Sequence, residues 1–104
     1  MNRMKRKPTH PGKVIQEDYL KPLSITITDM ASTLGVSRKT LSKIINKRGA
    51  ITPDMSLRLA RAFDTTPDLW INLQKNYDLW QAEHISKEWQ KVKPLSPQQL
   101  HINI

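Results

Sequence analysis

The stretch from Thr26 to Arg48 most constrains the fold, because its pattern predicts two helices joined by a tight turn. Thr26 can cap the first helix with its hydroxyl, and Asp29 follows at the spacing of a capping box. Gly35 can take the positive φ at which helices commonly end. The apolar face between these signals consists of Met30, Ala31 and Leu34. The first helix of the pair therefore has a start, a buried face and an end.

The second helix of the pair is apolar on one side and basic or amide-bearing on the other. Ser37 can cap it, and Leu41 faces inward with Ile44 and Ile45. The small side chain of Ala31 allows the two helices to approach closely, as in a helix-turn-helix. The residues on or beside the polar side are Ser37, Arg38, Lys39, Thr40, Ser42, Lys43, Asn46 and Lys47. A solvated charged face is the plain alternative, but the preceding helix and the charge balance favour DNA recognition.

The charge balance favours an anionic partner over the acidic surface of many enzymes. Lysine and arginine number 17 against nine acidic residues, a formal net charge of +8. Cations precede the first acid, Glu17, and cluster again on the second helix of the motif, whereas most acids lie in the later half. A ribosomal protein, or plain solubility, is also compatible with this charge. The N-terminal half is nevertheless the half suited to phosphates.

Three further helices are predicted around this pair. The first begins at His10-Pro11-Gly12 and ends before Pro22, because a residue that precedes proline is disfavoured in the α region. Thr52-Pro53-Asp54 and Thr66-Pro67-Asp68 are two more helix starts, each with a cap, a proline and an acid. The last helix is expected from about residue 67 to about residue 91. The chain is therefore predicted to be all-α, with five helices.

The last helix carries an apolar and aromatic stripe that is long for one small domain. Its members recur at steps of three and four residues, and a further tryptophan follows; they are Trp70, Leu73, Tyr77, Trp80, His84 and Trp89. All six are candidates for a dimer or partner interface, since aromatic residues often anchor interfaces. Core packing is the plain alternative for Trp70 and Leu73. For Tyr77, Trp80 and Trp89 a partner surface is at least as well supported.

The chain is divided into an N-terminal arm (1–9), one helical domain (10–91) and a C-terminal tail (92–104). The arm is polar and basic, so it is either a frayed end or a segment that enters a DNA groove. The tail ends in Leu100-His101-Ile102-Asn103-Ile104, whose alternation has the period of a strand. Addition of this segment to a partner sheet and a disordered end are the two hypotheses for it.

No residue pattern indicates catalysis, a metal or a cofactor. The chain has no cysteine, and its three histidines are far apart in sequence, without metal-ligand spacing. No glycine-rich loop follows a strand, and no apolar run approaches membrane-spanning length. The N-terminus lacks the apolar region of a signal peptide. A cytoplasmic protein that is not an enzyme is expected, without a membrane partner.

The assembled motifs resemble the HigA-type antitoxins of bacterial toxin–antitoxin modules, in the Xre-like helix-turn-helix class. The matching segments are His10-Pro11-Gly12, the A-x-x-x-G-V-S pattern of residues 31–37, and Ile51-Thr52-Pro53-Asp54. LRLARAF (57–63) and TPDLWINLQKNYDLW (66–80) continue the match. The last segment is much more specific than a helix-turn-helix alone. One departure is Ile27, which stands where the class often has a glutamine that contacts phosphate.

The resemblance implies a five-helix domain like that of lambda repressor, with a long C-terminal helix that helps it dimerise. It implies a homodimer that represses its own operon and neutralises a HigB-like toxin, similar to the RelE-type ribonucleases that cut messenger RNA. On this basis Arg38, Lys39 and Lys43 are the candidates for base edges of operator DNA. Backbone amides near Thr28 are expected to hold a phosphate at the N-terminus of the first motif helix.

Two other functions remain open on the sequence. One is a phage-type Xre repressor without a toxin partner, and the other is a protein-binding module whose DNA function has lapsed. Neighbouring genes and a comparison of operator with scrambled DNA distinguish them.

Overall fold

The computed structural model describes residues 6–102, which form helices and connecting segments without a strand. A first helix (α1, Pro11–Val14) continues into a π-helical turn, Ile15–Leu20. The motif helices are α2 (Ile27–Leu34) and α3 (Arg38–Ile45). Then come α4 (Pro53–Phe63), α5 (Pro67–Ile85), a 3₁₀ turn (Glu88–Lys91) and α6 (Pro97–Ile102). The expected all-α architecture is confirmed.

Four helices begin at the hydroxyl residues that the sequence predicts as caps. In each case the side-chain oxygen accepts a hydrogen bond from the backbone amide three residues later. The four caps are Thr26, Ser37, Thr52 and Thr66. A cap of a different kind begins α1, where the imidazole Nδ1 of His10 accepts from the amide of Gly12 at 2.9 Å. The start of this helix at His10-Pro11-Gly12 was predicted from the sequence, but the histidine cap was not.

The core lies between the motif helices and the two helices that follow. Trp70 of α5, Leu41 of α3, Leu59 of α4 and Ile15 have no exposed surface. Buried residues also include the predicted inward faces of the motif, which are Met30, Ala31, Leu34, Ile44 and Ile45. The indole Nε1 of Trp70 donates to Thr65 Oγ1 at 2.8 Å, so this large side chain is buried without an unpaired donor.

Close backbone packing holds the start of α1 against the end of α3. A Cβ at Gly12 would meet the carbonyl oxygen of Ile44 and lie 2.8 Å from Cα of Ile45. Only a glycine allows the two backbones to approach this closely. The position of the second motif helix is therefore set at its C-terminal end by α1 and at its N-terminal end by the turn.

The C-terminal part differs from the prediction in two ways. The last long helix ends at Ile85, not near residue 91, and Ser86 is extended. Every described residue from His84 to Leu100 is exposed. A longer helix would therefore gain no stability from packing against the core.

The strand hypothesis for the tail is wrong as far as Ile102, because residues 97–102 are helical. Ser96 and Gln99 form a reciprocal capping box, in which each backbone amide donates to the other side chain. Asn103 and Ile104, and residues 1–5 of the predicted arm, lie outside the described residues.

Candidate nucleic-acid interface

The turn between α2 and α3 has the geometry of a helix end closed by glycine. Gly35 has φ of 70°, in the left-handed region. Its amide donates to the carbonyl of Ser32 at 3.1 Å, and the amide of Val36 donates to that of Ala31 at 3.0 Å. This pair of bonds is the Schellman arrangement, which stops a helix and reverses the chain. It places the N-terminus of α3 at the surface directly after the turn.

The predicted DNA-contacting residues lie on and around the outward side of α3. Most are exposed, namely Thr28, Ser37, Arg38, Lys39, Thr40, Lys43, Asn46 and Lys47, whereas Ser42 is half-buried. The opposite side of the helix is buried in the core. Exposed lysines and arginines on one face of a helix are the electrostatic pattern of a phosphate-binding surface.

Hydrogen bonds organise several side chains of this surface. The Nε of Arg38 donates to Thr28 Oγ1 at 3.1 Å, which joins the start of α3 to the start of α2. Ser37 Oγ donates to Thr40 Oγ1 at 2.9 Å while it accepts from the Thr40 amide. Ser37 and Thr28 therefore have structural roles in addition to any contact with DNA.

Ile27, the departure from the family's glutamine, is half-buried and packs against the core. Its side chain has no polar atom and points its apolar surface inward. A phosphate contact through this side chain is therefore excluded, and the backbone amides at the start of α2 remain for that purpose.

The α5 stripe divides between the core and the surface. Trp70 is fully buried and Tyr77 is 9% exposed, so the chain itself covers them. Trp70 therefore has no surface left for a partner, which corrects its place among the interface candidates. Leu73 and Trp80 are half-buried, and only His84 and Trp89 are exposed; the ring of Trp80 stacks on that of His84 at 4.1 Å.

Lys7 and His10 connect the N-terminal segment to this stripe. The Nζ of Lys7 lies 5.4 Å from the ring centroid of Tyr77 and 5.7 Å from that of Trp80, within cation–π range. The ring of His10 meets that of Tyr77 edge-on at 4.7 Å. At Lys7, therefore, the predicted arm is packed on the domain.

His10 is held as a neutral imidazole beside the C-terminal end of α3. Burial lowers its pKa from the usual 6.5, and the charges of Lys47 and Lys7 lower it further, while Asp78 opposes them. The neutral form suits its role, because the Nδ1 atom that caps α1 must accept a hydrogen bond.

One arginine outside the motif, Arg58 of α4, hydrogen-bonds to the turn itself. Arg58 is not among the site residues predicted from the sequence. Its spacing of four residues from Asp54 was the available signal, since such pairs lie side by side on a helix.

The chain is similar in sequence to helix-turn-helix regulators and to an antitoxin. The model of the helix-turn-helix family matches residues 17–70, from the π-helical turn to the start of α5. An uncharacterized HTH-type transcriptional regulator of Haemophilus influenzae is 46% identical over 94 residues, which cover 90% of this chain and 88% of that protein. Antitoxin HigA-1 of Vibrio cholerae is 38% identical over 96 residues, with 91% of this chain and 90% of the relative covered. The chain belongs to the helix-turn-helix family and to its HigA-type antitoxins.

A solved antitoxin structure extends the similarity to three dimensions. The antitoxin GraA in complex with its operator superposes with a TM-score of 0.79 at 37% identity, and the match covers 92% of this chain and 97% of that one. The resemblance seen in the sequence motifs is thereby confirmed. HigA-type proteins are regulators and antitoxins, so the family is one of DNA-binding proteins and not of enzymes.

Two kinds of feature are absent from the described part of the chain. No helix among residues 6–102 is long and apolar enough to cross a membrane. Within the same range no group of three or more histidine, cysteine or acidic side chains is arranged to hold a metal ion.

Proposed function

We propose that this protein is the antitoxin of a type II toxin–antitoxin module, acting as a homodimer that represses its own operon and neutralises a HigB-like toxin. The observation that carries the DNA-binding part is the exposed basic side of α3 behind a glycine-closed turn. The HigA-1 relative and the operator complex of GraA support both parts. Since its targets are DNA and a ribosome-dependent ribonuclease, its place is the cytoplasm.

On DNA, α3 lies in the major groove with its outward side at the base edges. Arg38, Lys39 and Lys43 contact bases, and arginine and lysine are suited to O6 and N7 of guanine. Ser37, Thr40 and Asn46 contact bases or phosphates. The free amides at the start of α2, near Thr28, hold a phosphate, because a helix N-terminus attracts anions.

The dimer forms through the outer side of α5 and the segment after it. This region exposes large apolar side chains that the chain does not cover, among them Leu69, Ile85 and Trp89. A homodimer with two-fold symmetry presents two α3 helices to the DNA. The operator is then a near-palindrome with half-sites one turn apart, about 34 Å.

The toxin binds away from α3, on an acidic or apolar face. Toxins of the RelE-like kind are expected to be basic, so the basic side of α3 repels them. Exposed acidic residues of α5, such as Asp68 in its first turn, are candidates for such a face. Repression and neutralisation therefore use different surfaces.

A gel-shift titration tests the DNA-binding function. The purified protein is titrated on the DNA upstream of its gene and on a scrambled duplex of equal length, at two salt concentrations. A shift that prefers the upstream DNA and persists at higher salt is the expected result. Equal binding to both duplexes that is lost with salt refutes operator recognition, because counterion release alone produces it.

A pull-down with the product of the adjacent gene tests the antitoxin function. Stable co-purification, and relief of that protein's messenger RNA cleavage, are expected. A protein that binds its operator but no neighbouring gene product is a repressor of the phage type instead.

A further inference from the structure

Arg58 of α4 contacts the turn of the helix-turn-helix motif from outside the motif. Its Nη1 donates hydrogen bonds to the carbonyl oxygen of Leu34 at 2.8 Å and to that of Gly35 at 3.2 Å. Its Nε donates to Asp54 Oδ2 at 2.6 Å, one helical turn earlier on α4. One guanidinium therefore connects α4 to the last residue of α2 and to the glycine of the turn.

The two carbonyls are natural acceptors for a cation. The last carbonyls of a helix have no partner within the helix, and they carry the negative end of its dipole. Arginine suits this place better than lysine, because its planar group presents several donors in fixed directions. With Asp54 on one edge and two carbonyls on the other, rotation of the Arg58 guanidinium is restricted.

This contact acts on geometry more than on stability. The side chains of Arg58 and Asp54 are 40% and 73% exposed, and ion pairs at such exposed positions stabilise proteins little. The turn, however, leads directly into α3, whose cap is Ser37. A small rotation at Gly35 moves every side chain along α3, because the helix is rigid.

We propose that Arg58 is a positioning residue for DNA recognition, which fixes the direction of α3 relative to α2 through the carbonyls of the turn. The proposal rests on the proposed DNA-binding function. It assigns to Arg58 no contact with DNA. Its effect reaches the bases through the turn, and Asp54 orients the guanidinium that transmits it.

The test compares Arg58→Lys and Arg58→Met with the wild type. Lysine keeps the charge, but its single nitrogen cannot take the separate positions from which Nε and Nη1 of Arg58 reach Asp54 and the two carbonyls. Methionine keeps only the apolar stem. Arg61→Met is the matched control, since Arg61 lies one turn further along α4 and, within residues 6–102, has no hydrogen bond or ion pair. Affinities for the operator and for a scrambled duplex are measured at one salt concentration, below the melting temperature of every variant.

Both Arg58 variants are expected to lower the ratio of operator affinity to scrambled-duplex affinity by about tenfold, the effect of losing roughly one base contact. Arg61→Met leaves the ratio unchanged. If both affinities fall equally, Arg58 binds phosphate and the proposal is overturned. Normal discrimination by Arg58→Lys also overturns it, because charge alone then suffices.

Amide hydrogen exchange supplies a measurement without DNA. The amides of Gly35 and Val36, which close the turn, should exchange faster in both Arg58 variants, while amides of α5 keep their protection. Unchanged exchange of these two amides would show that Arg58 does not stabilise the turn, which overturns the proposal. A wild type that does not distinguish the two duplexes refutes the proposed function itself, whereas a discriminating wild type with unaltered variants refutes the role of Arg58 alone.

Discussion

Gly12→Ala is expected to destabilise the protein, which reverses the usual effect of this substitution in a helix. On helix propensity alone, alanine is more favourable than glycine by about 0.8–1.0 kcal/mol. In this structure, however, the new Cβ would meet the carbonyl oxygen of Ile44 and lie 2.7 Å from the carbonyl carbon of that residue. These are backbone atoms, so no change of rotamer relieves the contact, and α1 must move away from α3.

The size of the effect follows from these two contributions. Overpacking a tight site costs about 1–3 kcal/mol, and contact with rigid backbone places Gly12 at the upper end. Subtracting the gain in propensity leaves a net loss of about 2 kcal/mol. For a domain of this size each kcal/mol changes the melting temperature by about 4–8 °C, so a decrease of about 8–16 °C is expected.

Urea titration followed by circular dichroism measures this loss, with Gly49→Ala as the control. A Cβ at Gly49 would lie 3.3 Å from Cγ1 and the backbone nitrogen of Ile44 and from Cβ of Lys43, so it requires a much smaller shift than a Cβ at Gly12. Gly12→Ala should lower the urea midpoint clearly and Gly49→Ala should change it little. A Gly12→Ala protein as stable as the wild type would show that α1 does not pack against α3 in this way.

Three further predictions address the interface, the α5 surface and pH. Lys43→Ala should weaken operator binding by about 1–3 kcal/mol and relax specificity at one base pair, measured by gel shift on operator variants; uniform weakening on all sequences would assign Lys43 to phosphate. Trp89→Ala should weaken dimerisation in sedimentation experiments without lowering monomer stability, whereas Trp70→Ala should cost about 3–5 kcal/mol of folding free energy because Trp70 fills the core. Because the pKa of His10 is lower in the folded state than its usual 6.5, the unfolded chain binds more protons below that pH, so the stability from His10 is complete above about pH 6.5 and decreases as the pH falls. His10→Asn keeps a capping side chain without this titration, so urea titrations at several pH values should show a smaller loss for the variant; equal losses would contradict the assignment.

Helix starts were predictable from the sequence because capping is local. The hydroxyl of Ser37 accepts from the backbone amide three residues ahead, and the same is true of Thr26, Thr52 and Thr66. Periodicity likewise placed Leu41 and Ile44 in the core. The helix-turn-helix and the polar side of α3 followed from these local patterns together.

The end of the last long helix and the tail were predicted less well. Periodic apolar residues continue past Ile85, but a helix needs something to pack on, and the described residues that follow are all exposed. The alternation near residue 100 suggested a strand, whereas the capping box of Ser96 and Gln99 was the signal for a helix. In such short segments the local helix signals and the apolar periodicity favour different structures. Burial can decide between helix and strand only where the segment packs against a core.

The sequence by itself determined which segments are helical at their starts, which faces are apolar, and that α3 carries the basic side. Only the tertiary structure decided that Trp70 belongs wholly to the core and that Gly12 packs directly against the backbone of α3. It also decided that Arg58 hydrogen-bonds to Gly35 of the turn, 23 residues away. The reason is that a hydrogen bond within one helical turn leaves a recognisable spacing in the sequence. Contacts between distant segments depend on how helices cross, and no local spacing records that.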